Sequence, residues 1–472
     1  MIYQRGDRGC RLVDLTPAAH DAEQLTAFYT GLYVAEFPDP DERESLENML
    51  SYLAHDGEHG NAYIVTLMYD GETLAGGSVA DYFTRSRCGA IEFLTIAPEA
   101  RGRGLGAVLT AHVEERMADA AAARGQSLAF VMAEMNDPFK RSRTPDNLDP
   151  FGRLRFWDRL GYRRAAFPYV QPALSAEQSP VTNLLLAAKP VEEGSGDAVE
   201  GARVVAFLRD YLIYAMRFDD PLASPEFVAM SAYLARRATI SLAPFGAYLG
   251  EDPQRPLSVR PVEREADPDF AVVMALYHRA FANPALAVGD ARFAALLRDA
   301  PADARYHLWA LREQSESPVR GMASFFALPS AGFGGYVAFE APLLHAGRLP
   351  LLIARIERAL AGESPAAQGW YVECAGESEA LHFARCGFAP VALPYRQPPN
   401  GPPLRLLYKE FGAVYAPPVL SASSFLAAQR EIARCVYEIE RPDAAPSFAE
   451  LARHVAALPA ETIPFDTDAC GV

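Results

Sequence analysis

The pattern of apolar and polar positions changes most clearly between Ile91 and Met117. An apolar run that ends at Ile96 predicts a β-strand, and a turn rich in glycine and arginine follows it. Beyond the turn, apolar side chains recur at the helical positions Val108, Leu109, Val113 and Met117. This spacing predicts an amphipathic helix, so the segment is a strand that enters a helix through a glycine turn.

The turn itself has the composition of an anion site. Its residues are Arg101, Gly102, Arg103, Gly104, Leu105 and Gly106. Glycine adopts positive φ and has no Cβ to block a ligand, so several main-chain amides can converge on one anion. The unpaired N–H groups at the start of the helix add to them, and the two arginines supply countercharge. The turn is therefore predicted to bind a diphosphate.

The order R-x-x-G-x-G at Arg101, Gly104 and Gly106 resembles the acyl-CoA signature of the GNAT family of N-acyltransferases. A second segment, Arg155–Tyr162, resembles the short helix that lies beside the pantetheine arm in that family. The resemblance implies an α+β fold whose mixed sheet splays between its fourth and fifth strands, with acetyl-CoA or another acyl-CoA in the gap. It also implies these cofactor-binding residues: Leu94, Thr95, Ile96, the turn residues 101–106, Asn136 and Trp157.

Composition narrows the class of protein. A chain of 472 residues exceeds one ordinary domain, and a net charge of −16 disfavours nucleic acid and anionic membranes as partners. The six cysteines are scattered without metal-ligand spacing, which predicts reduced thiols and no metal site. The sequence shows no secretory signal and no membrane-spanning run, so a cytoplasmic location is expected.

The chain also repeats itself. Arg155–Pro172 and Leu381–Pro398 share seven of eighteen residues without a gap. The repeat predicts two GNAT-like domains in tandem, each followed by a helical hairpin. The predicted ranges are 1–190 for the catalytic domain, 191–256 for a linker and hairpin, 257–412 for the second domain, and 413–472 for a C-terminal helical segment. The start of the second range, Val191–Ala202, has the composition of a surface linker.

The predicted hairpins could cover a sheet face or form a subunit contact, such as that of a homodimer, and the sequence leaves both open. The second copy has lost the turn, because Leu344 and Leu349 replace Arg101 and Gly106. A proline, Pro350, stands where an amide would donate. This copy is therefore expected not to bind CoA, and to serve packing, the shape of the neighbouring site, or a different ligand.

Acyl transfer to an amine needs a base, and Glu92 is the first candidate because it is a charged residue inside an apolar strand. Strand alternation places Glu92 on the same face as Ile96. The alternative is a carboxylate at the rim that pairs with an arginine. Glu134, at the end of the predicted strand Leu128–Glu134, is a second candidate and is expected to line the acceptor site.

The resemblance places the acid of the family, a tyrosine, at Trp157, and indole cannot protonate a thiolate. Tyr162 or Tyr169 is therefore expected to replace it, unless the thiolate leaves with help from solvent. The extra loop 136–152 carries Lys140, Arg141 and Arg143, which are predicted to meet the substrate or the CoA 3′-phosphate. A solvated insertion is the alternative.

Acidic residues after Phe37-Pro38 could recognise an amine or form only the polar face of a helix. They are Asp39, Asp41, Glu42, Glu44 and Glu47. The sequence thus favours an acyl-CoA-dependent N-acyltransferase (EC 2.3.1 class) acting on a small amine. The alternatives are a non-catalytic acyl-CoA or metabolite sensor, and a GNAT-fold enzyme of O-acyl transfer or decarboxylation.

Overall fold

The computed structural model divides the chain into two compact units, Met1–Phe245 and Gly246–Val472. The structure describes all residues except 1, 6–7, 39–42, 56–59, 141–147, 174–178, 193–195, 252–255, 282, 284–286, 341–346, 365, 413–417 and 467–472. Each unit is built around its own β-sheet, with helices packed on both faces.

One ten-stranded sheet runs through the N-terminal unit. Its strands are β1 (Ile2–Arg5), β2 (Arg8–Asp14), β3 (Ala62–Asp70), β4 (Thr73–Phe83), β5 (Cys88–Ile96), β6 (Phe130–Asn136), β7 (Arg163–Ala165), β8 (Leu184–Pro190), β9 (Ala198–Glu200) and β10 (Thr239–Pro244). They lie in the order β1-β2-β3-β4-β5-β6-β8-β7-β10-β9. Neighbouring strands are antiparallel except β5 and β6, which are parallel.

The helices of this unit are α1 (Ala19–Phe28), α2 (Val34–Glu36), α3 (Leu46–Ala54), α4 (Leu105–Ala123), α5 (Pro150–Arg159), α6 (Gly201–Asp210) and α7 (Pro225–Ala235). Two π-helical turns, Tyr29–Tyr33 and Tyr211–Ala215, follow α1 and α6. Short 3₁₀ turns cover Pro98–Ala100 and Pro221–Ala223. A four-residue helix, α8 (Phe245–Tyr248), contains the point where the chain passes to the second unit.

The two faces of the sheet are covered by different helices. On one face, Met117 of α4 packs so closely on Gly89 that a Cβ there would lie 2.2 Å from its Sδ. On the other face, Phe28 of α1 fills the space over Gly77, and Phe207 of α6 packs against Phe83. We call these the α4 face and the α6 face. Because side chains alternate along a strand, neighbouring residues of β4 or β5 face opposite helices.

The C-terminal unit has seven strands: β11 (Ser258–Pro261), β12 (Arg305–Arg312), β13 (Gly321–Ala327), β14 (Gly332–Phe339), β15 (Gly369–Cys374), β16 (Ala389–Pro390) and β17 (Arg405–Glu410). Their order is β11-β12-β13-β14-β15-β17-β16, and the parallel pair is β14 and β15. The helices are α9 (Pro268–Ala280), α10 (Asp290–Arg298), α11 (Leu349–Glu363), α12 (Glu377–Ala384), α13 (Ala422–Cys435) and α14 (Pro446–Ala456), with a 3₁₀ turn at Pro442–Ala444.

The predicted α+β fold with two mixed sheets is confirmed. The strand order β2-β3-β4-β5-β6-β8-β7 in the first sheet matches the order β11-β12-β13-β14-β15-β17-β16 in the second, strand for strand. A helix pair follows each unit's sheet core, α6 with α7 and α13 with α14, and packs on its own sheet. One local expectation was wrong: Val191–Ala202 is not only linker, because it holds β9 and the start of α6, and its Val199 is buried.

Three further observations concern the described ranges only. None of their helices combines the length and the apolar character that crossing a bilayer requires. None of their His, Cys, Asp and Glu side chains form a group of three or more arranged to hold a metal ion. Five cysteines are free and buried, and Cys470 lies outside the described residues.

Candidate active site

The glycine turn has a backbone that side chains rarely adopt. Gly102 has φ of 74° and Gly104 has φ of 80°, both in the left-handed region. Gly104 is also the N-cap of α4, and as a glycine it has no side chain to cap the N–H groups of the first helical turn. A cradle with two left-handed residues and an uncapped helix start fits an anionic group that approaches the main chain. The diphosphate of a CoA molecule is such a group.

The two arginines of the turn are engaged with the protein itself. Arg101 donates from Nε to the Ile96 carbonyl oxygen at 2.9 Å and forms an ion pair with Glu36. Arg103 donates to Asp70 at 2.7 Å on the surface. These bonds anchor the turn, and the role of both side chains as countercharge stays a prediction.

Helix α5 presents a different residue to the turn than the sequence suggested. A Cβ on Gly106 would lie 3.1 Å from the ring of Phe156, so this ring packs directly on the helix start. Trp157 instead is buried, with its ring 4.7 Å from that of Tyr162. Leu105 is buried as well, beneath the turn. Phe156 was missed because the motif drew attention to the next position along the helix.

The parallel strands β5 and β6 separate beside the turn. They pair from Cys88 with Phe130 up to Ile91 with Ala133, and beyond those residues each strand pairs only with its outer neighbour. The gap is thus bordered on one side by Leu94, Thr95 and Ile96 and on the other by Met135 and Asn136. This is the splay that the family resemblance implied.

Glu92 occupies a β-bulge at the start of the gap. In β4, Val79 and Ala80 are consecutive, yet their partners Phe93 and Ile91 are not, so Glu92 is the extra residue. The alternation argument that paired Glu92 with Ile96 is therefore wrong, because a bulge shifts the phase of side chains along a strand. Glu92 instead meets Asp81, a residue of the α6 face.

A cluster of acids and phenols surrounds Glu92. We define the Glu92 cluster as Glu92, Asp81, Glu44, Glu134, Tyr33, Tyr52, Tyr63 and Tyr211. Burial raises the pKa of Glu92 well above its ordinary value, and the charge of Asp81 and a hydrogen bond with it raise that pKa further. The Oε1 atom of Glu92 is shielded from solvent and has no hydrogen-bond partner among the described residues.

Glu134 is differently held from Glu92. It is the first residue of β6 beyond the paired region, and both of its oxygens accept phenolic protons. Tyr169 donates to Oε1, and Tyr211 donates to Oε2 at 2.9 Å. Burial, followed by the nearby Glu134 charge, raises the pKa of Tyr211 well above its ordinary value. These bonds make Glu134 a poor base and commit the Tyr169 proton, so neither residue is free for the role considered from the sequence.

Tyr162 lies on the wrong side of the sheet to act as the acid. Its hydroxyl donates to Glu114 of α4 at 2.8 Å, and Glu114 also accepts from Lys189 at 2.7 Å. Helix α4 packs over Gly89, whereas Asp81 pairs with the next residue, Ala90, and therefore faces α6. The sheet separates Tyr162 from Glu92, and the assignment of Tyr162 as acid is corrected.

Several predicted substrate residues fall on or near segments without a described placement. Lys140 is exposed, and its Nζ lies 3.3 Å from the Thr182 carbonyl oxygen. Arg141 and Arg143 lie outside the described residues, as do Asp39, Asp41 and Glu42. Glu44 is placed: its Oε1 accepts from the Ser45 and Asn48 nitrogens, each at 2.7 Å.

The C-terminal unit has the same gap but different residues around it. Its parallel strands pair up to Gly334 with Val372 and then separate, so Gly335 takes the place of Glu92 and Glu373 that of Glu134. Phe326 takes the place of Asp81, because Phe325 pairs with Gly334 as Ala80 pairs with Ile91. Only one acid of the three is thus kept.

The helix start in that unit is also changed. Gly347 keeps a left-handed φ of 65°, but Arg348 is the N-cap of α11, and Pro350 in the first turn has no N–H. The Arg348 side chain is buried, where it donates to the Pro256 carbonyl oxygen at 2.9 Å and to Glu313 at 2.8 Å. Leu344 lies outside the described residues.

Comparisons with known proteins agree with the sequence motif. Residues 23–138 match the model of the acetyltransferase (GNAT) family. The match contains the whole turn Arg101–Gly106 and the strands on both sides of the gap, and the predicted resemblance is confirmed for this segment. None of the curated proteins that were compared matches the chain.

Solved structures with a similar fold include three that are described by their sources as acetyltransferases or GNAT proteins. A putative GNAT-family acetyltransferase from Bacteroides thetaiotaomicron is 18% identical, covers 43% of this chain and 98% of its own, and has a TM-score of 0.32. A tandem GNAT protein from the clavulanic acid biosynthesis pathway is 15% identical, with coverages of 87% and 99% and a TM-score of 0.28. The ribosomal-protein-S18-alanine N-acetyltransferase from Escherichia coli is 14% identical, with coverages of 39% and 98% and a TM-score of 0.25.

Proposed function

We propose that the N-terminal unit transfers an acetyl or other acyl group from acyl-CoA to the amine of a small molecule. One observation carries the proposal: the helix start with left-handed Gly102 and Gly104 opens beside the gap that begins at Glu92, whose Oε1 atom is shielded from solvent. The family match over residues 23–138 supports acyl transfer as the reaction class.

The roles of the residues follow from this geometry. Main-chain N–H groups at 101–106 would bind the diphosphate, and a β5 amide between Leu94 and Ile96 would hold the carbonyl oxygen of the thioester. Acyl-CoA, when bound, supplies an activated acyl group on sulfur. Glu92 would accept the proton of the attacking amine, because a carboxylate whose pKa is raised is a stronger base than an ordinary one.

An amine is the acceptor that fits the charges of the site. Three further carboxyl groups, those of Asp81, Glu44 and Glu134, lie close enough to Glu92 to affect its pKa. Phenol rings complete the Glu92 cluster, and aromatic faces favour cations. We expect a small, cationic or neutral amine, met in the cytoplasm; the cytoplasmic location and a homodimer remain predictions.

The decisive variant is Gly104→Val. A branched side chain at φ of 80° is strained, and its methyl groups would stand where the diphosphate approaches the amides. We expect CoA affinity to fall more than about a hundredfold, since the variant removes several charge-assisted hydrogen bonds together. Titration calorimetry with CoA measures this. Affinity equal to that of the wild type would contradict the proposal.

Gly347→Val is the matched control, because Gly347 has a left-handed φ of 65° before the equivalent helix and suffers the same backbone strain. We expect this variant to bind CoA as the wild type does, with one CoA per chain in both. A stoichiometry of two would show that the second unit binds CoA as well, against the expectation drawn from Arg348 and Pro350.

A second candidate function is a non-catalytic acyl-CoA sensor. It is favoured by the absence of a free phenol at the family's acid position, where Trp157 is buried. An assay for released thiol over a broad panel of amines and alcohols separates the two candidates. A separate incubation with acyl-CoA alone, in which released carbon dioxide is measured, tests decarboxylation. Turnover that Glu92→Gln abolishes, at unchanged CoA affinity, supports the enzyme. A clean lack of turnover supports the sensor.

A further inference from the structure

The proposed reaction lacks an acid, and the structure offers one in an unexpected place. Tyr162 lies on the α4 face, Tyr169 donates to Glu134, and Trp157 is buried and has no acidic proton. The bulge at Glu92 brings its carboxyl group to that of Asp81 on the neighbouring strand. Asp81 is buried and the Oε1 atom of Glu92 is shielded from solvent, so the two carboxyl groups meet away from bulk water.

A hydrogen bond between two carboxyl groups requires that one of them carries a proton. Two ionised carboxylates within hydrogen-bonding reach of each other repel, and burial increases the free energy of the doubly charged state. One shared proton resolves both problems, as in other paired acids. The Oε1 atom of Glu92 is left over, shielded and without a described partner, so the pair still has a site for a second proton.

A comparison of the two units of the repeat shows that the fold does not require this carboxyl pair. At the same register in the C-terminal unit, Gly335 and Phe326 replace Glu92 and Asp81 together, while Glu373 keeps the place of Glu134. The gap, the bulge and one acid thus persist where the glycine turn is lost, and the pair does not. The carboxyl pair is a feature of the unit that carries the turn, and the sheet does not need it.

We propose that Asp81 and Glu92 act as one singly protonated pair that is both the base and the acid of the acyl transfer. The inference rests on the proposed function. As the amine nitrogen forms its bond to the acyl carbon, the ionised carboxylate takes the proton from nitrogen. The C–S bond breaks with its electrons on sulfur, and sulfur takes the proton that the pair already held. The pair returns to its starting state, and no other proton donor is needed.

The charged and titratable groups that face the pair are the other members of the Glu92 cluster. They are Tyr33 after α1, Glu44 before α3, Tyr52 on α3, Tyr63 on β3, Glu134 on β6 and Tyr211 after α6, and Arg217 lies over the ring of Tyr52. Their acids oppose ionisation of the pair, in the same direction as burial does. A protonated carboxyl group is therefore expected in the free protein at neutral pH.

The first test needs no substrate. Infrared difference spectra of the free protein across pH should show a protonated carboxyl that persists at neutral pH, and both Asp81→Asn and Glu92→Gln should move its titration to lower pH. Each substitution removes the like charge that raises the partner's pKa. Glu373→Gln is the matched control, because burial raises the pKa of Glu373 too, and this variant should leave the titration of the pair unchanged. A band that Asp81→Asn does not shift would overturn the proposal.

The second test uses the acyl-CoA-loaded protein. Asp81→Asn should lower kcat about a hundredfold, the range of general acid–base catalysis, at unchanged CoA affinity, and should move the acid limb of the pH profile to lower pH. A merely structural role for Asp81 would leave that limb in place and overturn the proposal. The failure of the proposed function has a different signature, because Gly104→Val would then bind CoA normally. In that case the infrared titration still decides whether the pair shares a proton.

Discussion

The two sheet gaps of this chain are alike in geometry and unlike in chemistry. Both open after the last parallel pair, at Ile91 and at Gly334, and both have a one-residue bulge at that point. In the first unit the bulged strand leads to a helix with two left-handed glycines before it. In the second it leads to a helix whose N-cap residue is the buried Arg348 and whose first turn contains Pro350, which has no N–H. The gap therefore belongs to the fold, and the groups proposed for catalysis are an addition to it.

A second comparison shows what the fold itself requires. Glu134 accepts from Tyr169 and Tyr211, and Glu373 accepts from Tyr395 at 2.5 Å and from Tyr437 at 2.6 Å. The first tyrosines are equivalent in the repeat. The second are not, since Tyr211 is the eleventh residue from the start of α6, whereas Tyr437 is the sixteenth from the start of α13. A buried carboxylate has to be satisfied, and the two units use different positions to do so.

The largest effect on stability is expected at the Glu–Lys pairs of the two units. Lys409 and Glu357 are both almost fully buried, whereas Lys189 and Glu114 retain 28% and 16% side-chain exposure. Lys409→Met leaves a buried carboxylate without its cation and should cost about 3–5 kcal/mol of unfolding free energy. Lys189→Met should cost about 1–2 kcal/mol, because water and the Tyr162 hydroxyl still reach Glu114.

Denaturation followed by hydrogen exchange, with peptides assigned to each unit, measures both costs separately. The control is the double variant Glu357→Gln with Lys409→Met, because it also removes the Glu357 charge that Lys409→Met leaves unpaired. The double variant should recover part of the lost stability. Equal costs for the two lysine variants would contradict the view that burial distinguishes the pairs.

A smaller and symmetric effect is expected at the duplicated tyrosines. Tyr169→Phe and Tyr395→Phe each remove one donor from a carboxyl group on β6 or β15, at a cost of about 1–3 kcal/mol in its own unit. Burial raises the pKa of Glu373, and the hydrogen bond from Tyr395 opposes that increase. Tyr395→Phe should therefore raise the Glu373 pKa further.

The sign of its pH dependence follows. Below the pKa of a carboxyl group in the unfolded chain, about 4.3, Glu373 is protonated in both states and the lost bond matters least. As the pH rises, the folded state must hold an anion with one donor fewer, so the destabilisation by Tyr395→Phe should grow toward neutral pH. Unfolding curves at pH 4 and pH 7 test this, and a pH-independent cost would contradict it.

The sequence predicted the parts of the site that depend on local pattern. A strand, a glycine turn and a helix follow from residues 91–117 alone, and the repeat of Arg155–Pro172 at Leu381–Pro398 predicted two related sheets. The position of Glu92 relative to its neighbours depends on a bulge, which one extra residue creates and which no period reveals. The bond of Tyr162 to Glu114 of α4 depends on tertiary packing, so the sequence did not show that this tyrosine lies on the α4 face.

Asp81 could have been found from the sequence. It interrupts the buried run of β4 at Val79-Ala80-Asp81-Tyr82, and a charged residue in such a run is expensive unless another group needs it. Tyr211 could not, since it reaches Glu134 from a π-helical turn 77 residues away along the chain. Contacts of that kind depend on tertiary packing, which the periodicity of one segment does not encode.

The smallest effect is expected at Arg103, and it sharpens the contrast between side-chain and main-chain recognition. Arg103→Gln removes an exposed cation that is already bound to Asp70, so CoA affinity should change less than about fivefold. Gly104→Val, one residue away, should lower the affinity more than about a hundredfold because it blocks the amides. Calorimetry at two salt concentrations measures both. A loss with Arg103→Gln as large as that with Gly104→Val, and strongly dependent on salt, would mean that the arginine leaves Asp70 to bind the anion, and the turn would then work by side-chain charge.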